Sequence, residues 1–112
     1  MKSYKELEVW QKAVDLTVAI YKATENFPSA EKFGLISQMR RAAGSVPANI
    51  AEGWVQFLLI ARGSLMELET HLIIANRLTY LSQDQLEQRL EDVQIVGKML
   101  NALIQSLKLR LR

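Results

Sequence analysis

The stretch ANIAEGWVQFLLIARGSL, Ala48 to Leu65, sets one helix-like pattern directly against another, with only Glu52, Gly53, Trp54 and Val55 between them. Upstream, Ile36, Met39, Ala43, Val46 and Ile50 recur at the steps of three and four that return to one face of an α-helix. Downstream, Leu58, Ala61, Leu65, Leu68, Leu72 and Ala75 do the same, with Phe57, Ile60, Ile73 and Ile74 beside them. Whether so short a connection lets two amphipathic helices fold back on each other, or further residues belong between them, is the question this stretch raises. Gly53 suits the end of the first, where the chain leaves helical geometry in a left-handed turn.

The same period extends in both directions. From Tyr4 to Phe27 one stripe runs Leu7, Trp10, Val14, Val18, Tyr21 and a second runs Val9, Ala13, Leu16, Ile20, Ala23, Phe27, giving a broad apolar face. Ser3, with Glu6 three residues on, has the form of a capping box, and Pro28 pushes Phe27 out of helical geometry. Ser29 is then the expected cap of the second helix. Pro47 lies inside that helix, lacks a backbone donor and crowds the carbonyl of Ala43, so a kink or a short 3₁₀ turn is expected between Gly44 and Pro47. The third pattern spans Val55 to Tyr80. The fourth starts after the cap-like Ser82 and continues through Leu86, Leu90, Val93, Gly97, Leu100, Ile104, Leu107 and Leu111.

Four amphipathic segments, short connections and no alternating strand pattern predict an all-α fold: an antiparallel up-down-up-down four-helix bundle with a kinked second helix. At 112 residues the chain is one domain spanning residues 1–112. Apolar residues make up 49% of it, which excludes disorder, and the longest apolar run, Phe57 to Ala61, falls far short of the roughly 18 residues a membrane span needs. The opening MKSYKELEVW lacks a secretory apolar core, so a cytoplasmic location is expected.

Composition also narrows the chemistry. With no cysteine and one histidine, His71, neither a disulfide framework nor a zinc site is expected, and no cofactor motif appears. Glu67 and Glu69 are both acids, but two residues apart on a helix they point in different directions and make no catalytic pair. No enzyme is expected. The formal charge of +2 permits contact with nucleic acid without demanding it.

Three blocks, YKELEVWQKAVDL, FGLISQMRRAAGSVPANIAEGW and FLLIARGSLMELETHLIIANRLTYL, resemble the four-helix bundle proteins encoded within intervening sequences of bacterial 23S ribosomal RNA genes. The resemblance covers Tyr4 to Leu81, and the fourth helix matches in pattern alone. It also reaches the accessory variability determinant of diversity-generating retroelements. It implies an antiparallel bundle that assembles into a homopentamer, has no known catalytic activity and, in the retroelement branch, binds nucleic acid and a reverse transcriptase. Relatives usually carry further residues, rich in Gly, Ser and Lys or Arg, between the segments that correspond to AEGW and FLLIARGSL. The expectation from the resemblance is a mobile basic loop missing between Trp54 and Val55; a shortened connection is the alternative, since about two to five residues can join antiparallel helices.

The candidate nucleic-acid-binding residues are Arg40, Arg41, Arg62, Arg77, Lys108, Arg110 and Arg112. Arg40 and Arg41, about 100° apart on a helix, cannot share a face fully, and each suits either ion pairing or phosphate contact. Arg62, Glu69 and Arg77 follow at two-turn steps and suggest salt bridges within or between subunits. Lys108, Arg110 and Arg112 stand where cations favour the negative end of the last helix, and repeated around a ring they would form a basic patch. Asn49 and Glu52 suit either a partner corner or local satisfaction of groups freed by Pro47. Trp54 suits a stacking platform or, more simply, a lid on the core. Gly63 and Gly97 are expected to admit close helix approach. Apolar positions on more than one face of the first and third helices favour assembly, with Trp10, Tyr21 and Tyr80 as candidate interface residues. Two functions stay open: an oligomeric scaffold that binds RNA or DNA, or a bundle whose charges serve assembly alone.

Overall fold

The computed structural model describes residues 3–110. Leu111 and Arg112, the last step of the fourth stripe and the last candidate cation, lie outside them. Four α-helices carry the fold: α1, Glu8–Thr24; α2, Leu35–Glu52; α3, Val55–Arg77; and α4, Gln83–Arg110. No strand occurs among the described residues. Consecutive helices pack side by side, α1 closes the ring against α4, and the backbones of the diagonal pairs stay apart. The molecule measures 48 × 22 × 20 Å, its long axis set by α4, whose 28 residues span about 42 Å.

The stripes read from the sequence form the core. Ala13, Ile20, Met39, Val46, Ile50, Leu58, Leu68, Leu72, Ala75 and Leu100 are wholly enclosed, and Leu16, Leu65, Val93, Val96 and Ile104 nearly so. Each buried aliphatic side chain of this size contributes about 1.5–3 kcal/mol relative to exposure. Ile36 and Leu90 are half-buried and pack against this cluster. Gly97 admits a close approach, since a Cβ there would stand 3.5 Å from Leu65 Cδ2, whereas Gly63 faces open space.

The helix ends depart from expectation. The segment Tyr4–Glu6 is a 3₁₀ turn in which Ser3 Oγ accepts from the amide of Lys5, and extended Leu7 separates it from α1. Ser29 opens another 3₁₀ turn, Ser29–Glu31, and α2 starts six residues later at Leu35, whose amide donates to Glu31 Oε1 over 3.4 Å. Helix α3 stops at Arg77 rather than Tyr80. There Tyr80 N donates to Ala75 O and Thr79 N to Asn76 O, each at 2.9 Å, with Thr79 left-handed at φ 67°. This is a Schellman turn with threonine in the place that glycine usually fills. Ser82 behaves as expected: its hydroxyl accepts from Gln85 N at 3.1 Å while Gln85 Oε1 accepts from Ser82 N at 2.8 Å, a reciprocal capping box.

Helix α2 stays α-helical through Pro47, so of the two outcomes expected there, a kink or a 3₁₀ turn, the 3₁₀ turn is not formed. The carbonyl of Ala43, which Pro47 cannot serve, accepts instead from Thr17 Oγ1 of α1 at 3.0 Å. The α2–α3 connection is Gly53 and Trp54 alone. Gly53 takes φ 81° and Trp54 is extended, so the Trp54 carbonyl receives Phe57 N at 3.0 Å and Leu58 N at 3.1 Å and starts α3.

Candidate nucleic-acid interface

Alternating helix directions create two ends. One gathers the α1–α2 and α3–α4 connections, tied together where Tyr80 Oη donates to Glu31 Oε2 at 2.9 Å and the Phe27 and Tyr80 rings meet at 5.3 Å. The hydrogen bond to Glu31, with some burial and the nearby negative charge, raises the Tyr80 pKa above its ordinary value. The other end gathers Tyr4, the Gly53–Trp54 turn and the last turns of α4.

The candidate cations do not form one patch. Arg40, half-buried at the Tyr80 end, donates from Nε to Thr24 Oγ1 at 2.9 Å and from Nη2 to the Tyr21 carbonyl at 3.2 Å, with its guanidinium 4.6 Å from the Tyr21 ring centroid. Thr24 is enclosed and donates in turn to the Ile20 carbonyl at 2.8 Å. Arg40 therefore holds the carboxyl end of α1, where a cation complements the helix dipole. Arg41 on the next face is exposed and free of hydrogen bonds within the described residues, as is Arg77 at the end of α3. Arg62 stands mid-bundle, donating from Nη1 to Asn101 Oδ1 at 3.3 Å. Lys108 and Arg110 are exposed at the opposite end from Arg77.

The expected ladder of Arg62, Glu69 and Arg77 is not made within the chain. Two helical turns put Arg62 and Glu69 on one face but about 10.5 Å apart along the axis, beyond direct pairing. The ion pair present among the described residues is Arg89 with Asp92, 3.1 Å apart. Asn49 bonds locally, though not to the carbonyl that Pro47 frees: Nδ2 donates to the Ser45 carbonyl at 2.8 Å and lies 2.9 Å from Ser45 Oγ, which in turn meets Ser64 Oγ at 2.9 Å across α2 and α3.

Trp54 does not cover the core. It is 67% exposed, and with Gly53, Val55, Gln56, Leu107 and Arg110 it lines a depression of about 320 Å³. Of the candidate interface residues, Trp10 is half-buried edge-on to Tyr4 at 5.3 Å, Tyr21 is 47% exposed under Arg40, and Tyr80 is occupied by Glu31. The sequence reading missed Thr17 and Thr24, the two hydroxyls that seat Pro47's orphan carbonyl and Arg40. The signal for Thr17 was present, since a proline inside a helix leaves the carbonyl four residues earlier in need of a donor. It also missed Phe33, 88% exposed on the α1–α2 connection. Among the described residues no group of three or more potential metal ligands converges, and no helix is long and apolar enough to cross a membrane.

The sequence profile of the family described as 23S rRNA-intervening sequence protein matches residues 5–102, nearly all of the described bundle. The chain belongs to that family. Its fold is shared with a protein of unknown function from the S23 ribosomal protein family of Bacteroides thetaiotaomicron VPI-5482, whose crystal structure was solved at 1.70 Å. The two superpose with a TM-score of 0.76 at 27% identity, over 86% of this chain and 97% of the other. No curated protein matches the chain significantly. Membership of the intervening-sequence family thus fixes a fold and an ancestry whose described relatives carry no stated activity.

Proposed function

We propose that this intervening-sequence family protein is a non-enzymatic bundle that self-assembles and binds nucleic acid through basic groups displayed by the assembly. The observation that carries this reading is the set of exposed cations, Arg41, Arg77, Lys108 and Arg110, with no carboxylate in ion-pairing range among the described residues. Arg62, half-buried beside Asn101, is a weaker contributor, and Arg40 serves the fold. One copy is only mildly basic, but several copies display these groups together, and phosphate contacts summed over an assembly bind far more tightly than one.

Assembly itself is supported by apolar side chains left outside the core: Val18 and Tyr21 on α1, and Ile60, Met66, Ile73 and Ile74 on α3. Five copies and a reverse transcriptase partner are what the resemblance implies, and a cytoplasmic location is the expectation from an opening without a secretory apolar core. These outer faces favour the second reading, a bundle that only assembles or binds protein. Mobility-shift titrations with RNA and DNA over a range of salt, alongside light scattering for mass, separate the two. Binding that weakens as salt rises supports the first. Assembly without binding at low salt supports the second, and a monomer that binds nothing ends both.

A further inference from the structure

Among the described residues nothing covers Trp54. Tryptophan is costly to leave in water, and here the indole stands at a two-residue turn beside a depression rather than folded over the core. The walls divide by chemistry. Val55 and Leu107 supply aliphatic surface, Gln56 an amide that can both donate and accept, and Arg110 a cation. The exposed Glu52 closes α2 one residue before Gly53 and does not line the depression.

An aromatic plate, a cation and an amide around one depression match the three parts of a nucleotide: a flat base, a phosphate and a polar base edge. A duplex presents phosphates but keeps its base faces stacked within. A single strand presents both at the spacing of neighbouring groups. Resting on the reading that the protein binds nucleic acid, we infer that the Trp54 end is a single-strand site, where an unpaired base stacks on Trp54 and its phosphate meets Arg110. Gln56 faces the base edge. Because every base has a π-face, the site takes single strands with little sequence preference. Arg41 and Arg77, lying toward the other end, are not part of it.

Fluorescence anisotropy of the full chain with a fluorescein-labelled oligothymidylate and with a duplex of equal length tests this. The single strand is expected to bind more tightly than the duplex. Trp54→Ala should weaken single-strand binding about tenfold, and Trp54→Phe should recover most of the loss. Arg110→Gln should lower the slope of log affinity against log salt by about 0.7, the share of one phosphate contact on a single strand. Phe33→Ala removes a still more exposed aromatic from the opposite end and should leave binding unchanged. Salt-dependent binding that ignores Trp54→Ala, prefers the duplex, or responds equally to Phe33→Ala overturns the site while leaving nucleic-acid binding in place. Absence of binding to either oligonucleotide overturns both.

Discussion

Thr17 Oγ1 on α1 lies 3.0 Å from the carbonyl oxygen of Ala43 on α2, the acceptor that Pro47 leaves without its helical donor. The same hydroxyl is 2.8 Å from the Ala13 carbonyl, so one hydrogen is shared between its own helix and the neighbour's. A helix carrying an interior proline ordinarily bends or loses about 3 kcal/mol. Here a side chain from the adjacent helix replaces the lost donor, and α2 stays helical from Leu35 to Glu52.

Thr17→Val keeps the shape and removes the donor, so it should destabilise the fold by about 1–2 kcal/mol, the cost of a buried acceptor left unmet. Pro47→Ala restores the backbone donor to Ala43. In that background Thr17→Val should cost markedly less, and a double-mutant cycle by urea denaturation reads the difference. Additive losses would show that Thr17 and Pro47 act independently.

Thr79 is a β-branched residue at φ 67°, where L side chains crowd the backbone. Thr79→Gly relieves that crowding and keeps both backbone bonds of the Schellman turn. Although glycine is freer in the unfolded chain, relief of the left-handed strain should win, raising stability by about 1 kcal/mol. Thermal unfolding followed by circular dichroism measures it, and a lower midpoint would contradict the assignment of strain to Thr79.

Arg40 and Arg41 are neighbours in sequence with opposite fates, which makes them separable. Arg40→Met deletes two charge-assisted hydrogen bonds to Thr24 and Tyr21 and should cost about 1–3 kcal/mol of stability. Arg40→Lys should recover little of it, because an ammonium lacks the planar fork that spans both acceptors and covers the Tyr21 ring. Arg41→Gln should leave stability within about 0.5 kcal/mol, the range of an exposed substitution, while weakening nucleic-acid binding. Denaturation and mobility-shift data on the same three variants give the comparison. A large stability loss from Arg41→Gln would return that residue to the fold.

The bundle was legible in the sequence because the three-four period of Val9, Ala13, Leu16 and Ile20, or of Leu58, Ala61, Leu65 and Leu68, reports directly which face loses water. The helix ends were less so. Ser3 and Ser29 have the right chemistry for caps, yet each opens a 3₁₀ turn, and the amide of Leu35 is met by Glu31 across the connection. Side-chain pairing across helices was least legible. Residues seven apart share a face without touching, which is why Arg62 and Glu69 align but do not bond, and Arg40's partners come from another helix sixteen or more residues away. Trp54 could not be placed from residue type, because the turn beside it decides whether the indole folds inward or out.

Tyr80 gives a pH-dependent test of how the two connections at its end are tied. Its hydroxyl donates to Glu31, and that bond, together with burial and the carboxylate's charge, lifts the folded pKa above the ordinary 10.0. The folded state therefore holds this proton more tightly than the unfolded state does. Its contribution to stability is whole below pH 10 and is lost as pH rises through the folded pKa. Tyr80→Phe removes the hydroxyl, so the wild-type advantage over the variant should be flat from neutral to mildly alkaline pH and shrink above it. Glu31→Gln, which keeps an acceptor but no charge, should reduce the lift in pKa, visible in the ultraviolet titration of the phenolate. Parallel stability curves for wild type and Tyr80→Phe across that alkaline range would mean that the contact contributes nothing in solution.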